Sequence, residues 1–258
     1  MSRVDVSLDQ SKKMATAFSS NTRDFLFVVL TCVAGSVDAL SVFGLGGVFT
    51  SLLSGNTIVL AAYLVQGHST KALLGIFVFV GYIPGAALAA LFLKQEKHNT
   101  EWTKRVTQIF GIEAIFLMVL LVGTYFSHNN SSFNIYLVFL AALSMGIQYT
   151  CAKQVNRIGV ITTMVTGTLS SLVSRLVDRS KNTGLTTGAA HVKHEYLYPT
   201  ETTVFLASVW GGYFVGGASS VALLSVSRTA AAALPLVLVL FVVAYARIKQ
   251  AEKRGLDT

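Results

Sequence analysis

Long apolar runs, each closed by a short polar stretch, dominate the chain. They lie at about 25–65, 72–93, 106–126, 133–152, 202–225 and 229–247, with a weaker Thr/Ser-rich run at about 158–177. A hydrocarbon core about 30 Å thick takes roughly 20 consecutive apolar residues per helix. Unpaired backbone groups are too costly in lipid for anything but helices or a closed barrel. Barrel strands alternate apolar and polar residues at short period, and these runs do not. The pattern predicts an all-α fold, a polytopic transmembrane helix bundle of about six crossings.

The first run is long enough for two crossings, but Gly44-Leu45-Gly46-Gly47 interrupts it, and such a cluster ends a helix. The bias of Lys and Arg toward the cytoplasmic side arbitrates. Suppose 25–65 makes one net crossing and 158–177 makes none. Every Lys and Arg except Lys71 and Arg228 then falls on the side of the two termini. An eight-crossing arrangement divides them less cleanly. The expectation is a cytoplasmic tail at 1–24, a transmembrane domain at 25–248 and a cytoplasmic tail at 249–258. The protein is placed in the inner (plasma) membrane. The polar stretch Ser127–Ser132 falls outside and carries no Lys or Arg.

Composition agrees: 53% of residues are hydrophobic and 12% charged, with a mean hydropathy of +0.61. Soluble domains carry about a quarter charged residues. The net charge of +8 would suggest nucleic acid in a soluble chain. Here the cations sit between apolar runs, where they orient the chain and meet headgroups, so no nucleic-acid partner is expected. The expected partners are the bilayer and an unknown small solute, and a homo-oligomer stays open. Cys32 and Cys151 lack metal-ligand spacing, and His191, His194 and Glu195 sit in a polar loop at 178–200 read as solvated. No metal, cofactor or catalytic residue is expected. Walker, H-E-x-x-H and G-x-S-x-G motifs are missing, so the chain is not read as an enzyme. The apolar run after the N-terminal polar stretch is too long for a cleavable signal.

The chain also resembles itself. Gly47–Asn56 aligns without gaps with Gly159–Thr168, and Gly81-Tyr82-Ile83-Pro84-Gly85 with Gly212-Tyr213-Phe214-Val215-Gly216. The order is the same in both halves. Repeats at about 25–126 and 133–248 would each hold three crossings, an odd number, so the halves would be inverted in the membrane. Secondary transporters are often built this way, with the site at the repeat interface. The Thr50–Asn56 and Thr162–Thr168 stretches would then be re-entrant or half-membrane segments entering from opposite faces.

Ala34-Gly35-Ser36-Val37-Asp38-Ala39, then Leu45-Gly46-Gly47-Val48-Phe49, then Ser54-Gly55-Asn56-Thr57 resembles the hallmark of the YoaK-like membrane proteins, the domain of unknown function 1275. Gly146-Ile147-Gln148-Tyr149 and Thr166-Gly167-Thr168 are similar to the family's second-half motifs. Ser54 stands where Thr is usual, and Tyr149 where Asn is usual. The resemblance covers about residues 25 to 248. It implies a multi-pass inner-membrane protein and supplies no substrate.

Asp38 carries the sharpest chemistry. A carboxylate inside a membrane span costs roughly 2.5–3.5 kcal/mol on insertion scales, so it reads as a proton or cation site or a substrate contact. The bland alternative is a helix-end carboxylate that reaches interfacial water or caps the next segment. Gln148, at a similar depth counted from the opposite face, is read as its mirror; the alternative is an interhelical hydrogen bond. Ser54, Gly55, Asn56 and Thr57, with Thr166, Gly167 and Thr168, are read as solute-lining breaks against a default of close helix packing. Glu113 is expected to snorkel to the interface or pair with Lys104 or Arg105, and Tyr82 and Tyr213 are expected to pack. The reading is a small-solute transporter or channel. The alternative is a non-transporting scaffold, sensor or assembly subunit.

Overall fold

A computed structural model describes residues 20–94, 102–127, 133–155, 170, 172–173 and 200–256. Thr166, Gly167, Thr168, His191, His194 and Glu195 lie outside them, so the second of the two proposed breaks is not described. The regular elements among the described residues are all helices, without a strand. Helix α1 (Ser20–Ala39) continues as a π-helical segment, Leu40–Gly46. Gly46 (φ 140°) and Gly47 (φ 86°) stop it in a conformation that L side chains rarely adopt. A non-helical stretch, 47–52, leads to the short α2 (Leu53–Val65). The remaining helices are α3 (Ser69–Leu93), α4 (Lys104–Phe126), α5 (Asn134–Val155), α6 (Thr200–Leu224) and α7 (Arg228–Leu256). Thr103 caps α4 by accepting a hydrogen bond from the Val106 N–H at 3.3 Å.

Among the described residues six helices are long and apolar enough to cross a bilayer, and α2, at 13 residues, is not. The long first run therefore supplies one such helix and one short one. Large apolar side chains on the outer faces, among them Ile58, Ile83 and Phe214, stay exposed in the isolated chain. That is the surface a lipid-facing helix presents.

Contacts fix the directions. Val28 and Cys32 of α1 meet Gly212 and Gly216 of α6 in the same order, so these helices run parallel. Phe139 and Leu143 of α5 meet Gly81 and Gly85 of α3 in the same order. Helix α7 is antiparallel to α1, since Phe25 touches Tyr245 near one end and Phe43 shares a cavity with Arg228 at the other. Helix α4 is antiparallel to α7, with Gln250 donating to Thr107 Oγ1 at 3.0 Å. It is antiparallel to α5 as well: Gly123 lies against Leu137, while Glu113 interacts with Cys151. So α1, α4 and α6 run one way, and α3, α5 and α7 the other.

The two parallel pairs, α1·α6 and α3·α5, are the tightest in the bundle. A Cβ at Gly35 would clash with the Tyr213 carbonyl, and one at Gly216 with the Cys32 carbonyl. A Cβ at Gly146 would clash with the Tyr82 carbonyl, and one at Gly85 with the Leu143 carbonyl. Without side chains there, the helices approach backbone to backbone, which is what holds helices together where lipid removes the hydrophobic drive.

Glu113 corrects one expectation. It does not snorkel: it is 0% exposed, and neither carboxylate oxygen has a hydrogen-bond partner among the described residues.

Candidate functional site

The site forms where α1 changes character. An α-helix commits each carbonyl to the fourth residue on, and a π segment spaces these bonds more widely, often at functional positions. Here the π segment begins two residues after Asp38. Beyond Gly47 the chain doubles back to Asp38. Oδ1 accepts from Thr50 N at 2.7 Å, Thr50 Oγ1 at 2.9 Å and Ser51 N at 2.9 Å. Oδ2 accepts from Ser51 Oγ and from Tyr213 Oη, the latter at 2.7 Å. Five donors, all neutral, thus surround a carboxylate that is 2% exposed. Among the described residues no ion pair involves Asp38.

Asn56 holds the same stretch from the other side. It accepts from Phe49 N at 3.0 Å and donates through Nδ2 to the Phe49 carbonyl. These bonds satisfy backbone groups that have no helix to pair with, the requirement for irregular backbone at membrane depth. Asp38 and Asn56 together clamp residues 49–51.

Asp38 also borders a cavity of about 450 Å³ between α1 and α6. Phe43, Phe49, Trp210, Tyr213 and Phe214 line it together with small and aliphatic residues of α1 and α6. Trp210 and Phe214 stack with centroids 6.0 Å apart. A second cavity, of about 760 Å³, lies at the far end of α1, by the start of α7. Thr124, Ser227, Thr229 and Arg228 make it polar, and Phe43 lines both spaces.

The sequence candidates meet only in part. Asp38 is on the cavity and Asn56 is one hydrogen-bond step away, through Phe49. Ser54, Gly55 and Thr57 sit within the first turns of α2, where Thr57 Oγ1 donates to the Leu53 carbonyl at 3.0 Å. None of the three lines the cavity. The interruption of the helix lies before them, at 47–52.

Gln148 is fully buried and donates to the Leu30 carbonyl at 2.7 Å, tying α5 to α1. It is not the counterpart of Asp38. Asp38 lies three residues after Gly35, the glycine against the Tyr213 carbonyl; three residues after Gly146, against the Tyr82 carbonyl, stands Tyr149. Tyr149 and Tyr82 rings lie 6.0 Å apart, where α1 and α6 place Asp38 and Tyr213.

Tyr213 was expected to pack, and instead donates to Asp38. The available signal was its place in the Gly-Tyr match between the two halves. Trp210 had no sequence signal beyond being aromatic in an apolar run, whereas Phe49 closes the Leu45–Phe49 motif.

A family model described as "Protein of unknown function (DUF1275)" matches residues 26–246. The UPF0700 transmembrane protein YoaK of Bacillus subtilis (strain 168) is 30% identical over 158 residues, which cover 61% of this chain and 68% of that relative. No solved structure matches the chain. With the family match spanning the bundle from the start of α1 into α7, the chain belongs to the DUF1275 family of transmembrane proteins of unknown function.

Proposed function

We propose that the protein is a small-solute transporter of the inner membrane, with its binding site at Asp38. The observation that carries this reading is a buried carboxylate within a membrane span that borders a cavity at a helix interruption. Intramembrane ionisable residues at such positions mark solute or ion pathways by default.

Two features support the reading. Thr50 and Ser51 bond Asp38, which lies eight residues before Gly46, where the helix ends. A 47–52 stretch that comes back beside Asp38 and then leads into the short α2 supports a re-entrant course. The contact pattern also favours two inverted three-helix halves. Gly35, Cys32 and Val28 of α1 meet α6 through the same offsets as Gly146, Leu143 and Phe139 of α5 meet α3. These parallel pairs run in opposite directions, and an interface of this kind is where secondary transporters place their sites.

A second reading, a non-transporting scaffold or assembly subunit, draws on the full hydrogen bonding of Asp38 and Asn56, which suits a structural clamp. Uptake into proteoliposomes separates the two. Compounds from a metabolite panel that raise the thermal midpoint of purified protein are offered to liposomes with and without it. Transport requires at least one compound to accumulate faster with protein present, and Trp210→Ala to slow it. If no stabilising compound accumulates above protein-free liposomes, the carrier reading falls.

A further inference from the structure

We propose that the Asp38 cavity binds a lipophilic organic cation taken from the bilayer; this rests on the carrier reading above for its role, but not for its chemistry. Three observations converge. The first is charge. All five donors to Asp38 are neutral, and no ion pair among the described residues involves it. Hydrogen bonds hold an ionised carboxylate in place but leave its net charge uncancelled, and in a low-dielectric slab that charge acts over several ångströms.

The second is the wall. Phe43, Phe49, Trp210, Tyr213 and Phe214 line the cavity. Ring faces attract cations and, among these, indole most strongly, with guanidinium, ammonium and onium groups as ligands. A neutral apolar solute would gain only the contact area. An anion would meet a carboxylate of its own sign.

The third is the route. Trp210, Phe214 and Val221 lie along one face of α6 and are 42%, 63% and 42% exposed. The cavity thus opens sideways toward lipid. The polar cavity beyond Phe43 holds Arg228, whose charge disfavours a cation entering from that end. Entry from the hydrocarbon favours a ligand with a large apolar body around its charge.

Tetraphenylphosphonium and tetraphenylborate have nearly the same shape and opposite charge. Binding of each to purified protein in neutral maltoside micelles is measured by equilibrium dialysis against protein-free micelles. The expected result is saturable phosphonium binding near one per chain, at least tenfold tighter than the borate, and weakened at least tenfold by Trp210→Ala. Asp38→Asn should abolish the preference for the cation. Should that variant fail to fold, the ion pair and Trp210→Ala still decide. Equal binding of the two ions, or no saturable binding of the phosphonium, overturns the proposal. If a second copy of the chain fills the groove, Phe214→Cys will form disulfide dimers in membranes and the phosphonium will not bind, which also overturns it. Phosphonium that binds but never enters proteoliposomes would remove transport and leave the site. A panel solute carried without any phosphonium binding would do the reverse.

Discussion

Tyr213 Oη donates to Asp38 Oδ2 across 2.7 Å, joining residues 175 positions apart. The bond links α6 to the carboxylate that also grips the 47–52 stretch, so one tyrosine ties the interruption of α1 to its parallel partner. Hydrogen bonds to ionised groups contribute about 1.5–3 kcal/mol. Tyr213→Phe keeps the ring in the cavity wall and removes only the donor. It should lower stability by about 1–3 kcal/mol, read as a drop in the thermal midpoint of detergent-purified protein. An unchanged midpoint would mean the bond is idle.

The glycines separate packing from conformation. At Gly216 a Cβ would run into the Cys32 carbonyl, backbone that cannot swing aside; at Gly55 a Cβ meets nothing within 4 Å. Gly216→Ala should therefore destabilise the α1·α6 pair by about 1–3 kcal/mol. Gly55→Ala should be neutral or raise the midpoint, because alanine loses less backbone freedom in a helix by roughly 0.5–1 kcal/mol. Equal effects at the two sites would contradict the close approach of the helices.

How much of this was legible beforehand depends on the range of the interaction. The crossing helices follow from runs of side chains against lipid thickness, a local property, and four of them end within a few residues of their runs, while the first run divides at Gly46 and the last helix continues to Leu256, into the expected tail. Asp38 announced itself because a carboxylate in an apolar run is costly wherever it points. Tyr213 did not, since a tyrosine in such a run is ordinary until its partner is known, and that partner is 175 positions away. Gln148 was matched to Asp38 by polarity, whereas helix contact follows the glycines, and these put Tyr149 in that place. Ser54–Thr57 looked like a break because of its small and polar residues. The backbone breaks earlier, within the glycine cluster 44–47 that the sequence marked as a helix end, where Gly46 and Gly47 supply positive φ.

Glu113 offers a test of buried polarity. It is 0% exposed in α4, and neither oxygen has a hydrogen-bond partner among the described residues. A buried polar group left without a hydrogen-bond partner costs about 1–3 kcal/mol, a cost that an apolar side chain of similar volume does not carry. Glu113→Met should therefore leave the thermal midpoint unchanged or raise it. A collapse of expression or a large fall in midpoint would show that the carboxylate is needed where it stands.

Asn56 should behave differently, because both ends of its amide are used. It accepts from Phe49 N and donates to the Phe49 carbonyl, which fixes a stretch with no helix of its own. Asn56→Asp keeps an acceptor for the N–H but sets a carboxylate oxygen against the carbonyl. Asn56→Ala removes both contacts. Leaving a buried backbone group unpaired costs about 1–3 kcal/mol, so both variants should lower the midpoint, and both should loosen residues 49–51. A cysteine placed at Thr50, which is fully buried, should react slowly with maleimide in the parent and severalfold faster in either Asn56 variant. Native Cys32 and Cys151 are replaced by serine beforehand if they contribute. Equal labelling rates in parent and variants would show that Asp38 alone holds the stretch, and that Asn56 is dispensable to the site.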